Sequence, residues 1–292
     1  MKKSSFQGTK INPTSFHRSH IKFYLLLTPI ALFMTLPLMF TISEAFKPLD
    51  ELFRFPPTFI VERPTLDNFR HIARLAGDTS VPMSRFLFNT IIVTILTLVL
   101  TILITTMSAY ALSKKKFRAK GLLLKINQIA FMFIPAAVAI PRYIIIMNIG
   151  LDNNFLAHIM PALAMPVGLF LVKQFIDTQV PDELIEAARI DGAGELRILF
   201  SLVFPLIRPA IATVAIITFQ AVWGAVEASN MFITDDTLRT FAFYLGALSP
   251  GDNPALAGVG AASALIMFAP NLIIFIALQS RVMSTMSHSG IK

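Results

Sequence analysis

The sequence contains no cysteine, which excludes a disulfide framework, a thiolate metal site and a cysteine nucleophile. Charge is scarce as well. Asp, Glu, Lys and Arg make up 14% of the 292 residues, against about 25% in soluble domains. No GxxxxGK[ST] stretch occurs, so the chain lacks the loop whose backbone amides cradle phosphates and is not itself an ATPase of that kind. The apolar stretches offer no paired catalytic carboxylates, Ser/His arrangement or HExxH pattern that would suggest an enzyme working within a membrane. His158 has no second histidine at ligand spacing, so no metal site is assigned and the residue reads as a packed, hydrogen-bonded histidine.

What the chain has in quantity is apolar length. Hydrophobic residues are 55% of the total and the mean hydropathy is +0.68. A helix needs roughly 20 apolar residues to cross hydrocarbon. Uncharged or nearly uncharged runs of that size predict six spans: Phe23 to Ser43, Phe86 to Ser113, about Ile126 to Leu151, Asn153 to about Phe175, Pro209 to about Ala228, and Asn253 to Ser280. The second is uncharged over 28 residues. The third is interrupted by Arg142 after Pro141, and the short link Gly150 to Asn154 makes spans three and four a hairpin. The fold class expected is therefore an all-α polytopic membrane protein.

The formal charge of +8 is explained by topology rather than by nucleic acid, because the basic residues sit in loops between spans. With a cytoplasmic N-terminus, 17 Lys and Arg fall on the cytoplasmic side and 8 on the other, and an even number of spans returns the C-terminus to the cytoplasm. The expected divisions are a cytoplasmic segment 1–22, a membrane domain 23–282 and a cytoplasmic tail 283–292. The first apolar run ends without a small-residue cleavage pattern, so it reads as a retained span. The long outer connection from Lys47 to Arg85 reads as an ordered loop.

The inner segment 182–205 carries the mechanism. Pro181 suits a helix start, and Asp182 and Glu183 suit the positive end of its dipole. There follow Glu186-Ala187-Ala188-Arg189-Ile190-Asp191-Gly192, nine residues, and Leu202-Val203-Phe204-Pro205. This resembles the EAA motif of binding-protein-dependent ABC importer permeases: Glu-Ala-Ala, three residues, Gly, nine residues, Ile, one residue, Leu, Pro. Every spacing is kept, with Leu202 for Ile and Phe204 for Leu. The resemblance extends over the chain, and within the family the sequence is similar to the shorter, maltose-type carbohydrate permease. It implies a type I importer fold with a cytoplasmic coupling helix. Glu186, Ala187, Ala188, Asp191, Gly192 and Pro205 would meet the ATPase subunit: Glu186 as a partner for a basic residue, the alanines as a close-fitting face, Gly192 as a turn.

That resemblance also implies the partners: a homologous second permease, two ATPase subunits that carry ATP and Mg, an external solute-binding protein, and a carbohydrate substrate, including oligosaccharides that contain uronic acids. The chain needs no cofactor of its own. An ion-coupled secondary transporter is the alternative, but it would want inverted repeats and charges at broken helices. For the substrate path the candidates are Glu227 with Trp223 and Asn230 near the outer end of span five, and Arg142 in span three. Ionisable groups at membrane depth tend to face cavities, although either could instead reach the headgroups. Gly258, Gly260, Ala261 and Ala262 provide small residues for close helix contact.

Overall fold

The computed structural model describes residues 21–56, 58–75, 81–248 and 253–289, and for 280–289 the backbone alone. The expected N-terminal segment, apart from its last two residues, and the end of the tail lie outside the described residues. Among the described residues every regular element is helical. The principal helices are α1 (Ile21–Phe46), α2 (Asp67–Leu75), α3 (Met83–Lys114), α4 (Lys120–Met132), α5 (Ala139–Asn148), α6 (Leu156–Leu163), α7 (Pro166–Gln179), α8 (Asp182–Ile190), α9 (Arg208–Trp223), α10 (Glu227–Met231), α11 (Phe241–Ala247) and α12 (Ala257–Ser289).

Among the described residues, four stretches are long and apolar enough to cross a membrane: α1, α3, Arg208–Met231, which joins α9 and α10, and Ala257–Gln279. The third and fourth expected spans are each a bent pair, so the total is six if each pair counts as one. The run from Ile126 to Leu151, expected as one span, is not a single straight helix. α4 and the helix that follows it meet at 108°, because Phe133 and Ile134 are extended ahead of Pro135, as the residue before a proline is driven to be. The fourth span bends by 46° between α6 and α7. There Ala164 and Met165 leave the helical region before Pro166 starts the second half. Pro29 and Pro37 remain inside a continuous α1, where the Thr41 hydroxyl donates to the Pro37 carbonyl at 2.9 Å.

α3 is the centre of the bundle. It packs against α6, α7, α9 and α11, while α1 lies at the periphery against α12. Lipid is as apolar as a leucine side chain, so small residues and hydrogen bonds, rather than hydrophobicity, hold such helices together. The buried face of α3 accordingly carries Thr90, Thr94, Thr97, Thr101 and Thr105. Asn89 donates to the carbonyls of Thr237 (2.8 Å) and Arg239 (2.9 Å). The Thr90 hydroxyl accepts the Phe241 amide at 2.7 Å.

The connection between α1 and α3 is ordered over its described part. Glu51, 2% exposed, accepts the amides of Glu62 and Arg63, and buried Lys47 donates to the Thr58 carbonyl. The Asn68 side chain donates to the carbonyls of Ala45 and Lys47 at the end of α1 and lies where a Cβ on Gly258 of α12 would fall, 2.6 Å away. Gly258 is thus an expected small contact residue at which a close approach is enforced.

Candidate functional site

At the C-terminal end of α3 the chain builds the segment that bears the EAA spacing. α8 begins after Pro181, extended at φ −62° and ψ 145°. It ends in a Schellman turn: the Ala193 amide donates to the Ala188 carbonyl at 2.9 Å, and the Gly192 amide to the Arg189 carbonyl at 3.0 Å. Gly192 has φ +79°, a conformation that favours glycine. A Cβ at Gly192 would meet no atom of this chain within 4 Å. Within the chain the requirement is therefore conformational, not steric. Helix resumes at Glu195–Arg197, widens to a π-helix over Ile198–Val203 and closes at Phe204–Leu206 before α9. Pro205 has no amide to give to the carbonyl four residues back, which suits a wide turn ahead of it.

Two sets of contacts fix this segment. The first is apolar: Ile185 and Ile198 are buried with Ala109, Ile176, Val180 and Val203, and Ala188 packs partly against them. Outside the hydrocarbon such burial stabilises by about 1.5–3 kcal/mol for each fully buried isoleucine. The second is polar. Lys114 donates to Asp182 and to the Val180 carbonyl, both at 2.6 Å, and holds the Asp182 carboxyl below its ordinary range. Glu195 pairs with Lys115, accepts from the Tyr110 hydroxyl at 2.7 Å and from Arg189 at 3.1 Å. The hydrogen bonds from Lys115 and Tyr110 pull its carboxyl down to about 2.

These contacts decide which face stays open. Glu186, Ala187, Asp191 and Gly192 are exposed, as is Pro205. Ala188, expected on the same outward face as Ala187, is turned partly into the chain's own core. Next to the exposed motif residues stand Ile190, 86% exposed, and Leu196, 62% exposed. A basic recess of about 420 Å³ opens beside them, lined by Lys114, Lys115, Lys116, Asp182, Ile185, Glu186 and Arg189. Apolar tips rimmed by charge are the arrangement that protein interfaces present.

The other candidate residues lie toward the opposite end of α3. Val93 lines their recess, and its 21 steps to Lys114 amount to about 31 Å at an α-helical rise of about 1.5 Å. Arg142 of α5 and Glu227 of α10 form an ion pair, and both line a recess of about 170 Å³ together with His158, Pro161, Val222 and Thr240. The Arg142 Nε is buried without a hydrogen-bond partner. Trp223 does not join them: it is buried, stacked on Phe219 at 5.5 Å between ring centroids. Asn230 is exposed and lines no part of the recess. His158 bonds through Nε2 to the Leu238 carbonyl at 3.1 Å, in keeping with a packed histidine.

Tyr110, Lys115 and Glu195 were not among the residues singled out from the sequence. Lys115 belongs to a basic run that topology already explains, and Tyr110 sits at the end of a span. Glu195 at the start of a helix after Gly194 was the available signal, since a carboxylate there suits the dipole. The exposed Ile190 had one too, as an apolar residue beside a motif that is otherwise charged and small.

Residues 102–281 match the family of binding-protein-dependent transport system inner membrane components. The melibiose/raffinose/stachyose import permease protein MelC of Bacillus subtilis (strain 168) is 32% identical over 207 residues, 70% of this chain and 74% of that protein. The maltodextrin transport system permease protein MdxG of the same organism is 31% identical over 274 residues, 92% of this chain and 95% of that protein. In structure, the chain is similar to one chain of a bacterial ABC transporter involved in the import of the acidic polysaccharide alginate. The TM-score is 0.77 at 20% identity, covering 92% of this chain and 99% of that chain.

Proposed function

The chain belongs to the family of binding-protein-dependent transport system inner membrane components, and from that membership we propose that it is the permease subunit of an ATP-driven oligosaccharide importer in the cell membrane. The observation that carries the reading is the face formed by Glu186, Ala187, Ile190 and Leu196 around the left-handed Gly192 turn, presented outward while Glu195 ties the same segment to α3. ATP binds and is hydrolysed, with Mg, on two separate ATPase subunits. Work done there reaches the membrane through an element that docks on them and moves as a unit with a span. α8 and the helical segment 195–206 meet both conditions, because they are pinned to α3 and lead into α9.

A second, homologous permease completes the pathway, and a solute-binding protein delivers sugar from outside. Oligosaccharides, including uronic-acid-containing ones, are the substrate class; MelC and MdxG, which take oligosaccharides by name, support the broader part of that assignment. Both termini and α8 lie in the cytoplasm, with segments 1–22 and 283–292 flanking the membrane domain. A reporter at Lys116 is then cytoplasmic and one at Asp236 external.

The decisive experiment is Gly192→Leu in the assembled complex. The variant keeps its spans and inserts, but loses ATPase subunits on purification and loses sugar uptake, while sugar still binds the external protein. Normal ATPase recovery together with normal uptake would make the segment an ordinary loop.

A further inference from the structure

Resting on the importer reading above, we propose that Arg142 is the binding group for a carboxylate of an acidic oligosaccharide, and that Glu227 occupies its place until the sugar arrives. Arg142 is the only charged residue of α5 and Glu227 the only one of α10, and they meet across the recess. A partly buried charge is costly without a partner. An internal carboxylate keeps the empty recess neutral, and a sugar carboxylate exchanges with it one for one, leaving the net charge there unchanged.

The two members of the pair are unequal. The Arg142 side chain is 27% exposed and that of Glu227 50%, so the cation is the fixed member and the anion the one that can swing to solvent. Arg142 also retains a buried Nε–H with no partner. A guanidinium presents its donors as a planar fork that matches a carboxylate in two hydrogen bonds. Glu227 leaves that fork incompletely used. Of the other polar side chains of the recess, His158 bonds through Nε2 to the Leu238 carbonyl and Thr240 bonds to Ser229. A neutral sugar brings hydroxyls, which cannot replace the charge of Glu227.

The test is uptake by the whole complex, with its own ATPase and binding protein, of a uronate-containing trisaccharide and of a neutral trisaccharide. Arg142→Gln lowers acidic uptake by about tenfold or more, the loss of a charge-assisted pair of bonds, and leaves neutral uptake within about twofold. The double variant Arg142→Gln with Glu227→Gln gives the same pattern, so an orphaned carboxylate is not the cause. Glu227→Gln alone lowers the half-saturating concentration for the acidic sugar only. Equal loss of both sugars in the double variant, or no loss of either, overturns the assignment. Wild-type uptake of neutral but not acidic sugar overturns it and leaves the importer reading standing. Uptake of neither sugar by the wild type removes both.

Discussion

The hydroxyl of Tyr110 and the carboxylate of Glu195 meet across 85 residues of chain, with the hydroxyl donating at 2.7 Å. Tyr110 lies one turn before the end of the central helix of the bundle and Glu195 begins the helix after the Gly192 turn, so this bond, with the Lys115 and Arg189 pairs, ties the exposed motif to α3. In the proposed coupling role, this tie would pass a push on α8 to the span instead of letting a loop absorb it.

Removing the tie should loosen the segment locally. Tyr110→Phe deletes one bond to a carboxylate that is partly exposed, a loss of about 1 kcal/mol. Amide hydrogen exchange over residues 182–197 should then speed by about fivefold at that cost, where RT is about 0.59 kcal/mol, while the amides of α3 stay protected. Unchanged exchange in the segment would mean that the apolar contacts alone hold it.

The same carboxylate sets a pH expectation. Glu195 is depressed from 4.5 to about 2 in the folded chain. Its contribution is therefore fully present above pH 4.5 and is lost as pH falls through about 2. Because the group is partly exposed, the effect is small, below about 1 kcal/mol. The absence of cysteine lets spin labels be placed cleanly at introduced cysteines in α3 and α8. Their separation should hold from pH 7 down to about pH 4 in the wild type, and Glu195→Gln should widen the distance distribution at neutral pH.

Gly192 is expected to discriminate among substitutions by backbone preference. At φ +79° Asn is tolerated, Ala costs about 1–2 kcal/mol and a β-branched residue more. Uptake with Gly192→Asn should therefore exceed that with Gly192→Ala, and Gly192→Val should be lowest. If Val equals Asn, the left-handed turn is not what the segment requires.

The Asn89 side chain, 1% exposed, donates to the carbonyls of Thr237 and Arg239. Asn89→Leu removes that donor from both carbonyls; Thr237 keeps the bond from Arg85, so the cost, about 1–3 kcal/mol, falls chiefly on Arg239. Thermal unfolding of the purified complex should fall by several degrees, and Asn89→Asp should not restore it, since a carboxylate repels both carbonyls. Gly258→Ala should act in the same assay through Asn68, which must move to admit the methyl group and surrender its bonds to Ala45 and Lys47.

The sequence by itself determined the solvent, the helical class, the placement of the apolar runs and the spacing of the motif, because hydrophobic length and the Glu-Ala-Ala, Gly, Pro pattern are local properties of the chain. Gly192 was legible for the same reason: a positive φ is a demand on one residue. The breaks in spans three and four had local causes as well, at Pro135 and Pro166, but whether a proline bends or breaks a helix depends on what its neighbours supply, and Pro29 and Pro37 are tolerated inside α1. Only the tertiary structure decided that Arg142 and Glu227 share a recess while Trp223 and Asn230 stand apart, that Ala188 turns inward while Ala187 stays exposed, and that Glu195 is the anchor of the motif. Those are relations between residues 85 positions apart in both pairs, Arg142 with Glu227 and Tyr110 with Glu195. They arise from how bent helices stack on α3, and no period or spacing along one segment encodes which side chains that stacking brings within reach.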